Sequence, residues 1–99
     1  MAIKKGIYAA SMSIFNQDFS LDIESTIRHS ERLLKEGLHG VVLFGSTGCA
    51  QLISSKEKKK LIDELNKNKL KDHFMIGTGA NALNENAELM KHALSNGID

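Results

Sequence analysis

Two segments of the chain concentrate glycine with small hydroxyl or amide side chains: Phe44-Gly45-Ser46-Thr47-Gly48 and Gly77-Thr78-Gly79-Ala80-Asn81. In the first, glycine lets backbone N–H groups come close to a ligand, and Ser46 and Thr47 add two hydroxyl donors without bulk. A carboxylate needs several convergent donors, so this loop suits one. The bland alternative is a tight turn of small residues. In the second segment Asn81 is expected to cap the following helix rather than line a pocket. Gly77–Ala82 also fits the loose dinucleotide pattern G-x-G-x-x-G/A, with Asp99 about twenty residues further on. That pattern belongs after the first strand of its fold, whereas here it follows the third.

Other reactive side chains point away from chemistry. His39 and His73 precede apolar runs, His29 and His92 fall in helical stretches, and no pair has zinc-like spacing on one face. All four are expected to pack or to face solvent, and neither a metal nor a cofactor is implied. Cys49 has no histidine or basic neighbour and reads as a small residue in a pocket wall. Lys56, Lys58, Lys59 and Lys60 read as a solvated helical face. No lysine falls at the C-terminal end of a strand, where a desolvated amine could attack a ketone. Tyr8 is expected to pack in the core.

The elements that must carry these loops follow from hydrophobic pattern. Ile7–Met12, Val41–Phe44 and Phe74–Ile76 are compact apolar runs, suited to strands buried on both faces. Ile23, Ile27, Ser30 and Leu34 recur with helical period, as do Leu83, Ala87, Met90 and Leu94; each set predicts a core-facing stripe. Leu61, Ile62 and Leu65 mark a shorter stripe, and Ser54 with Glu57 predicts a capping box at its start. Gly37 and Gly97 stand where helices should stop.

The order is β-α-β-α-β-α, with strand starts about 32–35 residues apart. Parallel strands joined by crossover helices satisfy that order. Asn96-Gly97-Ile98-Asp99 repeats the exit Glu36-Gly37-Leu38-His39-Gly40, so a fourth strand is due where the sequence stops. Eight such units need about 250 residues, the size of a (β/α)₈ barrel. The fold class expected is α/β, the first three βα units of a (β/α)₈ TIM barrel. Residues 1–99 form the N-terminal part of one barrel domain whose remainder lies outside this chain. Both glycine-rich loops then sit at the C-terminal ends of strands, the face where such barrels carry function.

Composition narrows the classes further. Ninety-nine residues allow one small domain, and thirteen Lys+Arg against twelve Asp+Glu leave a charge of +1. That balance argues against a polybasic nucleic-acid surface. One cysteine excludes a disulfide framework, and no apolar run approaches the ~18 residues of a membrane span. Met1-Ala2-Ile3-Lys4-Lys5 before Gly6-Ile7-Tyr8-Ala9-Ala10 imitates a signal peptide, but polar residues follow at once. A cytoplasmic setting is expected.

Ala10-Ser11-Met12-Ser13-Ile14-Phe15-Asn16-Gln17-Asp18, Ser20-Leu21-Asp22, Gly45-Ser46-Thr47-Gly48 and Gly77-Thr78-Gly79-Ala80-Asn81 occur in this order. Together they resemble the opening third of the dihydrodipicolinate synthase and N-acetylneuraminate lyase family. The resemblance implies a class I, Schiff-base aldolase on a (β/α)₈ barrel, acting on pyruvate or a related 2-keto acid, and usually a homotetramer. It places Thr47 on the pyruvyl carboxylate and Ser46 in a proton relay with a tyrosine. It puts the Schiff-base lysine and that tyrosine on later strands, so the 99 residues would supply part of a site and not the reaction. Four positions depart from the family pattern: Ser13-Ile14 replaces Thr-Pro, Cys49 replaces a glutamate, and Ala50 replaces a hydroxyl residue. The family's lysine-feedback site would match only at Asn81 and Glu85. Two other readings stand beside this one: a dinucleotide-binding α/β domain using Gly77–Ala82, and a non-catalytic α/β fragment.

Overall fold

The computed structural model describes residues 4–98. Asp99, and the Met1-Ala2-Ile3 start of the signal-like segment, lie outside them. Three short strands, β1 (Tyr8–Ala10), β2 (Gly40–Leu43) and β3 (Phe74–Ile76), form one sheet in the order β1-β2-β3. Both pairings are parallel: Ala9 lies opposite Val41, and Val41 opposite Phe74. Parallel neighbours need crossovers, and helices α1 (Ile23–Lys35) and α2 (Ser55–Leu65) supply them. Helix α3 (Leu83–Ser95) follows β3. This is the expected three-unit βα architecture.

Local chemistry sets the boundaries. Asp22 caps α1 by accepting the Ser25 N–H at 3.0 Å. Ser54 and Glu57 form the expected capping box on α2. Gly37 and Gly97 follow the first and third helices with positive φ, as their stop positions predicted. The core lies between the sheet and the helices. Val41, Leu43 and Phe74 from the strands meet Leu61, Ile62 and Leu65 from α2, all fully or nearly fully buried. Ser11 and Ser30 are buried as a pair, their hydroxyl oxygens 2.7 Å apart, which ties the end of β1 to α1. No helix of the described residues is long and apolar enough to cross a membrane.

Three expectations change. The strands are buried on one face only. Val41 and Phe74 are buried against helices, while Ala10, Val42 and Met75, aligned across the sheet on the opposite face, keep exposure. Tyr8 is half-buried, not a core residue, because it sits at the strand start and its hydroxyl reaches the Lys4 carbonyl at 2.7 Å. The third helix is turned relative to its predicted face. Leu83, Ala87, Met90 and Leu94 are exposed, and Leu89 and Ala93 are buried against the rest of the molecule. Two apolar stripes run along α3, and only one is used by contact with the described residues. The α1 stripe holds as predicted, with Ile27 and Ser30 buried.

This orientation gives a direct mutational contrast. Leu89→Ala is expected to cost about 2–5 kcal/mol, as for a buried leucine. Met90→Ala should stay within about 0.5 kcal/mol. Urea denaturation of the two variants checks the assignment, and equal losses would contradict it.

Candidate active site

The site is assembled where β2 and β3 end. Phe44 leaves β2 with φ 59°, in the left-handed region, and its side chain is 1% exposed. That turn drives the ring inward and carries Ser46 and Thr47 outward, while Gly48 returns to a buried position. The loop closes on itself: Cys49 N–H donates to the Ser46 carbonyl at 3.1 Å, and Ala50 N–H to the Gly45 carbonyl at 3.2 Å. Ser46 and Thr47 are exposed at its crest. Among the described residues their hydroxyls, and the amide N–H groups of Ser46, Thr47 and Gly48, donate to no protein acceptor. Unused donors on neighbouring residues are what an anionic oxygen requires.

Neighbouring loops brace this one. The Ser13 hydroxyl donates to the Gly48 carbonyl at 2.5 Å, joining the β1–α1 connection to the hydroxyl loop. Gly77 N–H donates to the Leu43 carbonyl at 2.8 Å, extending the β2–β3 ladder by one bond. Position 77 admits no side chain, because a Cβ there would lie 2.6 Å from the Phe44 carbonyl oxygen. The two strand ends therefore touch backbone to backbone. Between the loops opens a groove of about 630 Å³, lined by Phe44, Ser46, Cys49, Gln51, Gly79 and Asn81 among others. Ser46 faces this groove, while Thr47 stands beside it on the crest and does not line it.

Helix α2 ties the loops together from below. The Glu57 carboxylate accepts the Leu21 N–H at 2.6 Å as well as closing its own capping box. That bond, chiefly, holds its carboxyl below the usual glutamate value of 4.5. The next residue, Lys58, is 1% exposed, and its Nζ donates to the Thr78 carbonyl at 2.8 Å. Its ammonium lies 5.8 Å from the centroid of the Phe44 ring. Burial pushes its pKa down from the lysine value, against the opposing charge of Glu85. Lys58 is thus a correction: it is no part of a solvated face. Lys56 and Lys60 are exposed and Lys59 is half-buried. The signal was in the sequence, since Lys58 precedes Leu61, Ile62 and Leu65 at offsets of three, four and seven and so falls on their stripe. Lys58 is desolvated, but it is covered and already engaged, which leaves it no route to a ketone.

The remaining candidates take the following places. Asn81 does not cap α3. The N-cap is Ala82, without a side-chain bond, and Asn81 is exposed along the groove. Asn86 braces the helix start, its amide donating to the carbonyls of Ala80 at 2.8 Å and Ala82 at 3.1 Å and accepting the Ala80 N–H at 3.2 Å. Cys49 lines the groove wall in a left-handed backbone conformation. His39 Nδ1 accepts the Ile7 N–H at 3.0 Å, and His73 Nδ1 lies 3.0 Å from the His39 carbonyl, both at strand starts and away from the groove. His92 pairs with Asp63 at 2.7 Å between α3 and α2. Among the described residues no group of three His, Cys, Asp or Glu could hold a metal ion.

Comparison with known proteins fits this geometry. The profile of the dihydrodipicolinate synthetase family matches residues 3–99. The chain belongs to the dihydrodipicolinate synthetase family. It is 36% identical over 95 residues to a 4-hydroxy-tetrahydrodipicolinate synthase of Methanothrix thermoacetophila, covering 96% of this chain and 32% of that one. The structure superposes with a TM-score of 0.80 on YagE, a prophage protein of Escherichia coli K12 from the same family, solved in complex with pyruvate. The identity there is 30%, over 99% of this chain and 33% of YagE. N-acetylneuraminate lyase of Proteus mirabilis is 27% identical with a TM-score of 0.77, over 89% of this chain and 30% of that one. The chain therefore spans about a third of the length of the relatives it matches. Its three βα units correspond to a segment of the TIM barrel these family members share.

Glu57→Ala is expected to destabilise the fold by about 1.5–3 kcal/mol, the range for a hydrogen bond to a charged group. A carboxyl held below its unfolded value contributes stability that is complete above that value and lost as pH falls through the folded one. The wild type should therefore lose stability as pH drops below 4.5, with a shallower acid limb in the variant. Urea midpoints measured from pH 7 to pH 3 check both. Gly77→Ala should cost about 1–3 kcal/mol, since the added carbon meets backbone that cannot yield cheaply.

Proposed function

We propose that this segment supplies the keto-acid-binding rim of a pyruvate-dependent lyase or synthase of the Schiff-base class. The observation that carries the reading is the cluster of unused donors at the end of β2. Ser46 and Thr47 are exposed side by side with no protein acceptor for their hydroxyls or for the N–H groups of residues 46–48, at the strand end where a (β/α)₈ barrel works. Thr47 holds the carboxylate of pyruvate or a related 2-keto acid. Ser46, which faces the groove, passes protons on and off the reacting carbon–nitrogen centre, as a hydroxyl that both donates and accepts can. Family membership supports aldol-type carbon–carbon bond formation or cleavage, and YagE's complex with pyruvate supports the keto acid.

The amine nucleophile and the tyrosine partner of Ser46 come, in this reading, from strands beyond β3. Residues 1–99 form the N-terminal part of that barrel domain, and the segment does not react alone. Assembly as a homotetramer in the cytoplasm belongs to the same reading. A dinucleotide site on Gly77–Ala82 finds less support. Gly77 is packed against Phe44, and the Thr78 carbonyl is occupied by Lys58.

Borohydride reduction in the presence of pyruvate tests the reading. The 99-residue chain should gain no adduct, and a polypeptide carrying it together with the remaining βα units should gain one per subunit. Thr47→Ala in that longer polypeptide should weaken pyruvate capture by about 1.5–3 kcal/mol, the scale of a hydrogen bond to a charge. An unchanged affinity removes Thr47 from the site. A longer polypeptide that ignores pyruvate and binds a nicotinamide nucleotide overturns the whole proposal.

A further inference from the structure

Lys58 is the only charged residue among the buried polar residues Ser11, Thr26, Ser30 and Lys58. Its position on the α2 stripe asks for a leucine or methionine, which would continue Leu61, Ile62 and Leu65 without desolvating a charge. Burying an ammonium costs several kcal/mol even after relaxation. Among the described residues the one protein acceptor this ammonium finds is the carbonyl of Thr78. That carbonyl belongs to a loop with little else to fix it. Gly77–Ala80 lies outside strand and helix, Gly79 has φ 56°, and after the Gly77–Leu43 bond the next backbone anchor is Asn86 on Ala80. Lys58 grips the loop between these two points.

The same ammonium rests near the Phe44 ring, and Phe44 is the residue from which the Ser46–Thr47 loop departs. One side chain thus touches the floor of both walls of the groove. We propose that Lys58 is a positioning residue for the keto-acid rim, setting the Gly77–Asn81 loop at a fixed distance from the Ser46–Thr47 loop. The proposal rests on the function read above for its kinetic consequence, and on geometry alone for its structural one. Lys58 does not meet substrate. It acts through Thr78 and Phe44.

Two measurements separate these parts. In the 99-residue chain, K58M should shift the Thr78 carbonyl ¹³C resonance and speed amide exchange at Gly79 and Ala80, leaving Leu61 and Leu65 unchanged. K58R keeps a donor and should restore the wild-type carbonyl shift. In the longer polypeptide, with active sites counted by borohydride trapping, K58M should raise KM for pyruvate about tenfold, the worth of one charge-assisted hydrogen bond. Its kcat per titrated site should stay within about threefold, and K58R should recover KM. A purely structural lysine would lower the number of titratable sites and leave KM alone, which overturns the proposal, as does a wild-type Thr78 resonance in K58M. Should K58M fail to fold, K58Q takes its place: its shorter, uncharged side chain should raise KM per titrated site, and a wild-type KM overturns the proposal. A wild-type polypeptide that traps no pyruvate defeats the functional reading, while the carbonyl resonance still judges whether Lys58 fixes the loop.

Discussion

Two adjacent charges in the first turn of α2 hold the rim of this molecule together. Glu57 reaches back to the Leu21 amide before α1, and Lys58 reaches forward to the Thr78 carbonyl after β3. The helix they begin is itself the continuation of the Ser46–Thr47 loop. Three connections that are distant in sequence are thus referred to one turn of helix. The strands are only three or four residues long, so the sheet alone could not fix the loops with comparable accuracy. The helix turn does so with charged groups, whose hydrogen bonds are shorter and stronger than neutral ones.

The backbone makes its own contribution. Phe44 ends β2 in a left-handed conformation that non-glycine residues avoid. Such strain persists only where packing over-determines it, and the fully buried ring of Phe44 does that here. The bare backbone of Gly77 fits against the resulting carbonyl. The hydroxyl loop is presented by a turn that the core enforces and not by its own sequence.

Much of this was legible in the residues. Apolar runs and helical offsets gave the element order, because buried strands and amphipathic helices leave different periods. The capping box and the glycine stops were readable because each depends on a local bond or a single dihedral. The face of α3 was not, since Leu83-Leu94 and Leu89-Ala93 are both apolar stripes and the sequence does not say which one a neighbour covers. Lys58 is masked by its neighbours, because three other lysines within two residues of it read as a charged face although its own offsets put it on the apolar stripe. Asn81 fits a cap that α3 lacks, while Asn86 braces the chain before the helix from inside it, and both are amides within reach of the same loop. The hydroxyl pair at 46 and 47 was visible as chemistry, but its freedom from protein partners is a property of the fold.

The second apolar stripe of α3 gives the isolated segment a direction in which it sticks. Leu83, Met90 and Leu94 offer water a greasy ridge on a helix whose other side is already docked. Attraction between such ridges strengthens on warming and fades in the cold, because it is driven by released hydration water. Cold and dilution therefore weaken any association through this ridge, and warmth and concentration favour it.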